Sequence, residues 1–146
     1  MLSFPPLHPA VVHFPIALII FSVVVEFIAW FRPEPISRAM AKWTLVGACI
    51  GGVLTVAAGL IDINRLQGHN AYVHFHMQMG FILMTLLVGL TVWRWFIDRL
   101  ARPIPKLYLA GAAMLLIITL FQGWLGGELV FSHGFAVAPS QNRYAY

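Results

Sequence analysis

Four long apolar runs alternate with short polar or proline-bearing breaks along the chain, at about 10–31, 42–62, 72–95 and 107–131. Each is close to the roughly 20 residues that a helix needs to cross about 30 Å of hydrocarbon. The breaks RPEP at 32–35, QGHN at 67–70 and RPIP at 102–105 carry proline or glycine, which disfavour continued helix. Connections this short make sequential helices antiparallel neighbours. The pattern predicts an all-α fold, a four-helix transmembrane bundle running up-down-up-down, with residues 1–146 as one domain.

Composition turns the pattern into a membrane assignment. Of 146 residues 60% are hydrophobic and 10% charged, against roughly 25% charged in ordinary soluble domains. No basic stretch precedes the first run and no small-residue cleavage site follows it. At roughly 22 residues it is too long for the apolar core of a signal peptide, so it is expected to stay as a span. Cys49 is the single cysteine and lies inside the second run, so it forms no intrachain disulfide.

The basic residues fix an expected orientation, because cytoplasmic loops are enriched in Lys and Arg. Arg32, Arg38 and Lys42 flank the first break, and Arg94, Arg99, Arg102 and Lys106 flank the third. Only Arg65 and Arg143 fall on the other side, so both termini are expected outside, in the periplasm of a bacterial inner membrane. Trp30, Trp43, Trp93 and Trp95 mark the inner boundary as an aromatic belt would. The net charge of +4 reflects this loop bias, not a nucleic-acid footprint. A reporter fused at Tyr146 is expected to be active on the periplasmic side; activity only in the cytoplasm would contradict the orientation.

With that orientation all six histidines lie toward the outer side: His8 and His13 at the start of the first helix, His69, His74 and His76 around the start of the third, His133 past the fourth. Counting about 1.5 Å per residue from the first inner basic residue puts His13 at roughly 28 Å and His76 at roughly 27 Å. The two helices run parallel and stand diagonally across the bundle, so both imidazoles approach one level from opposite sides. Two such imidazoles suit the axial sites of a b-type haem. Gly80, one turn below His76, and Gly51, Gly52 and Gly59 on the second helix would give a ring room, with Phe14, Phe75 and Phe81 to pack on it. His74 is turned away from His76 by about 200°.

Simpler accounts stand beside this one. A histidine at a membrane interface is satisfied by water and headgroups, but ionisable groups inside spans are costly and mark function. A copper or zinc site would draw on His74, His76 and Met77 with Asp62, since imidazole and thioether suit copper. Met77 and Met79 also serve as core filler, and the glycines of the second helix also permit close helix contact. Glu26 is placed to pair with Lys42 or Arg94 near the inner boundary. Asp62 is placed to orient an imidazole as a supporting group or to pair with Arg65. Glu128 follows Gly126 and Gly127 and would line an outer pocket where the fourth helix loosens.

The stretches HPAVVHFPIAL at 8–18 and GWLGGELVFSHGFAV at 123–137 resemble the opening and closing motifs of a bacterial four-helix membrane family of unknown function. The resemblance covers essentially the whole chain and includes His8, His13, His133 and, on the third helix, His76 rather than His74. Relatives joined to or encoded near periplasmic c-type cytochromes imply respiratory or dehydrogenase-linked electron transfer.

The expectation is therefore a membrane b-type cytochrome-like electron-transfer subunit, holding one haem b, or two if His8 and His133 form a second pair. Its partners would be membrane lipid, a c-type cytochrome or dehydrogenase, and quinone. A copper or zinc protein, and a pigment-binding or structural subunit of a larger complex, remain open alternatives. No nucleophile and base are spaced for hydrolysis. The segment GGELVFSHGFAV, with its helix-weakening glycine pair, is expected to fold back over the outer end of the bundle.

Overall fold

The computed structural model describes residues 6–66 and 71–132, with the backbone alone at 65 and 66. Helix is the only regular structure among the described residues: α1 (Leu7–Val11), α2 (His13–Phe31), α3 (Pro35–Leu66), α4 (Ala71–Arg99) and α5 (Lys106–Phe131). Four stretches, Leu7–Phe31, Pro35–Asn64, Ala71–Arg99 and Lys106–Phe131, are long and apolar enough to cross a membrane. His133 and His69 lie outside the described residues, as does the part of the expected outer cap that follows Ser132.

Proline accounts for the helix boundaries. Pro15 has no N–H to give the carbonyl of Val11, so the helical ladder is interrupted between α1 and α2, while Val12 itself keeps helical dihedrals, φ −63° and ψ −30°. Pro35 occupies the first turn of α3, where a missing N–H costs nothing. After α4 the chain turns through Ala101 at φ 48°, with Arg102 N–H bonded to the Ile97 carbonyl and Ala101 N–H to that of Asp98. This is a Schellman stop built on alanine where glycine is usual. α3 begins earlier than the apolar run at 42, and its first two turns carry Arg38 and Lys42 into ion pairs.

The helices form a closed ring in which α2 packs on α3 and α5, and α4 packs on the same two. Thus α2 and α4 are diagonal, as the up-down-up-down order requires. Ile19, Val23, Leu45, Leu87, Leu90 and Leu115 fill the centre, with Ala29, Ala41, Ala48 and Ala112 where backbones approach closely. The outer surface is greasy, with Phe14 64% and Leu107 73% exposed, as a lipid-facing surface should be.

Glycine did not loosen the end of α5. Gly126 and Gly127 sit within a helix that continues to Phe131, so this part of GGELVF does not fold back. Inside a bilayer an unpaired backbone group costs several kcal/mol, more than the roughly 1 kcal/mol that glycine subtracts from helix stability.

Candidate functional site

Polar side chains bridge the diagonal at both ends of the bundle, and the two bridges differ in chemistry. At the basic end Glu26 of α2 meets Arg94 of α4, 1% and 0% exposed. Arg94 Nε donates to both carboxylate oxygens, at 2.9 and 3.0 Å. Its other nitrogens donate to Asp98 and, at 3.2 Å, to the carbonyl of Arg38. Asp98 also takes Arg38 at 3.1 Å and Lys42 at 3.0 Å. Of the two partners expected for Glu26, Arg94 is the one used. Each group here has a partner, which makes this end an ionic lock more than a reactive site.

At the histidine end the bridge is His8 to His76, with ring centroids 6.0 Å apart and planes at 86°. α1 packs against α3, and Thr55, Gly59 and Asp62 on one α3 face receive His8. The Asp62 carboxylate accepts the His8 backbone N–H at 2.7 Å. The Thr55 carbonyl lies 3.0 Å from His8 Nδ1 and so takes the ring proton there. Gly59 leaves the space that the ring fills, since a Cβ would stand 3.1 Å from Nδ1. With Nδ1 so engaged, Nε2 is the nitrogen left with a lone pair.

His76 is held from α5. Gln122 Nε2 donates to the His76 carbonyl at 2.9 Å and stands 3.3 Å from His76 Nε2. One turn further, Gly126 gives the ring its space, a Cβ there falling 3.3 Å from His76 Cε1. Among the described residues three buried polar atoms of this region have no hydrogen-bond partner: Thr55 Oγ1, His76 Nδ1 and Gln122 Oε1. Each such atom costs about 1–3 kcal/mol when left unpaired in a closed interior. Buried groups of this kind are commonly satisfied by water or an ion.

The structure pairs His76 with His8 and not with His13, the partner expected from depth. His13 is exposed and its Nδ1 lies 3.1 Å from the Pro9 carbonyl. Five positions along a helix amount to a rotation of about 140°, so only one of the two histidines can face the bundle interior. His74 is exposed on α4, on another face from His76. Phe14 is also on the outside, beside Pro15 over Gly51. Gly80 makes room for Gln122, Gly51 for Phe14 and Pro15, and Gly52 for Met84 and Leu87. Asp62 supports the His8 backbone and not its ring. Glu128 is half-buried on α5, two positions past Gly126. His133 lies outside the described residues.

Two members of the site were not picked out by composition or spacing. Gln122 is an amide inside the fourth apolar run, and polar groups inside spans are rarely idle. Thr55, seven positions before Asp62, shares its helix face.

The His8 and His76 rings meet edge to face with centroids 6.0 Å apart, a spacing ordinary for a ring pair and similar to that of two imidazoles sharing one metal ion at roughly 2 Å per bond. No group of three or more His, Cys, Asp or Glu able to hold a metal ion occurs among the described residues.

Residues 4–139 match the family model described as "Predicted membrane protein (DUF2231)". No curated protein matches the chain. No solved structure matches it either.

Proposed function

The chain belongs to the DUF2231 family of predicted membrane proteins, and from that premise we propose that it is a b-type cytochrome-like electron-transfer subunit with haem held at its histidine end. The observation that carries this reading is the His8–His76 ring contact, edge to face with centroids 6.0 Å apart, where His76 Nδ1, Thr55 Oγ1 and Gln122 Oε1 are buried with no hydrogen-bond partner among the described residues. His8 and His76 would hold the group. The Thr55 carbonyl fixes the ring orientation and tautomer of His8, as carbonyl partners do for metal-binding histidines. Asp62 fixes the backbone that carries His8, and Gln122 fixes His76. Bound haem supplies one-electron chemistry; the chain supplies its position and polarity.

His13, exposed on α2, and His133, outside the described residues, would serve a second haem or a partner surface. With the expected orientation this end faces the periplasm, which suits exchange with a c-type cytochrome or dehydrogenase, with quinone as the membrane-side partner. The close fit of both rings against Gly59 and Gly126 favours a second reading, a lone copper or zinc ion bound by His8 and His76. A single ion needs far less space than a macrocycle.

Metal analysis with haem extraction from purified protein separates the two. One iron per chain, or two where a second haem is held, extracted as haem b, is expected; stoichiometric copper or zinc would support the ion, and absence of all three would overturn both.

The glycine contacts offer an independent check. Gly59→Ala would press on His8 Nδ1 and break its bond to Thr55, so it should lower cofactor retention several-fold. Gly123→Ala, with nothing within 4 Å of the added carbon, should leave retention unchanged. Equal retention in both variants would count against His8 as a ligand.

A further inference from the structure

At the opposite end of the bundle, a cleft of about 740 Å³ opens between the start of α3 and the end of α4. Arg38, Lys42 and Arg99 line it with Asp98, and Trp95 and Pro35 form part of its apolar wall. The ion network behind it is unbalanced. Three cations, Arg38, Lys42 and Arg94, share two carboxylates, Glu26 and Asp98, which leaves one positive charge. Arg99, exposed on the wall, adds a second.

The cleft sits at the end of two membrane spans, at the depth marked by tryptophan. Trp43 and Trp95 meet at right angles, 6.0 Å between centroids, both largely exposed. Lys42 Nζ stands 5.3 and 5.4 Å from their ring centres. A cationic floor beside apolar walls, at headgroup level, matches a molecule with one anionic group and an apolar remainder. We propose that this cleft binds the phosphodiester headgroup of an anionic phospholipid, with Arg38, Lys42 and Arg99 as its counter-charges. An acyl chain would then follow the apolar flank beside Trp95. A free phosphate would satisfy the charges but leave the apolar wall unused, which is why a lipid is the better occupant.

The test places the full chain in nanodiscs made from equal parts phosphatidylglycerol and phosphatidylcholine, extracts it gently, and counts retained lipid by native mass spectrometry. Phosphatidylglycerol is expected to be retained over phosphatidylcholine, with a loss of about fivefold for each cation removed from the cleft. Arg99→Gln is the first variant, because Arg99 has no part in the ion network and its loss should not disturb folding. Lys42→Gln is the second. Lys106→Gln, at the same end of the bundle but outside the cleft, should retain lipid as the unsubstituted chain does.

Unselective retention, or an equal loss with Lys106→Gln, would show general attraction to basic surface and overturn the site. Inorganic phosphate at millimolar concentration should not displace the lipid. If it does, and raises thermal stability as much as the lipid, the occupant is a soluble anion and the lipid assignment fails.

Discussion

Arg94→Leu is expected to destabilise the bundle by about 3–5 kcal/mol, the range for removing one partner of a buried ion pair. The reason is local. Arg94 is fully buried and supplies both hydrogen bonds to the Glu26 carboxylate. Removing it strands that carboxylate at 1% exposure, in an apolar bundle whose outer face is lipid. Glu26→Leu should cost less, because Arg94 keeps Asp98 and the Arg38 carbonyl. The double variant Glu26→Leu, Arg94→Leu should recover most of the loss, since replacing a whole buried pair by apolar groups is often close to neutral. Thermal unfolding in mild detergent reads all three. An Arg94→Leu protein as stable as the unsubstituted chain would show that the lock holds nothing together.

This end of the molecule was largely legible in the sequence. Apolar length predicts the four spans, and proline places their ends to within a few residues. Glu26 lies near the inner boundary within reach of Lys42 or Arg94, and counting alone does not choose between them. The start of α3 was not legible in the same way, because Arg38 looks like loop until its partner on α4, Asp98, is known.

The histidine end was legible only coarsely. Counting residues puts His13 and His76 at roughly one level along the bundle, but the histidine that meets His76 is His8, five positions earlier. Counting does not give the side of the helix that faces inward. That depends on the packing of α1 on α3, which brings His8 to His76. The glycines were visible, yet the groups they admit are His8, His76, Gln122, Phe14 and Met84, each brought from another helix. No local pattern encodes such contacts.

If His8 and His76 are the axial pair, His8→Ala and His76→Ala should each abolish low-spin haem. An axial imidazole cannot be lost without leaving five-coordinate iron or releasing the cofactor. His13→Ala and His74→Ala should retain it, since both side chains are exposed on other faces. Gln122→Ala should keep both ligands but free the His76 ring, with a shifted potential and weaker binding as the expected signature. The reverse pattern, with His13→Ala silent in stability and lethal to the spectrum, would move the axial site to α2.

The reduced-minus-oxidised difference spectrum of the purified full chain, made in cells supplied with iron and haem precursors, is the most direct measurement. A low-spin b-type spectrum, at one haem or two per chain and reversible on reoxidation, is the predicted result. A flat difference spectrum from folded protein would contradict electron transfer through haem at this site.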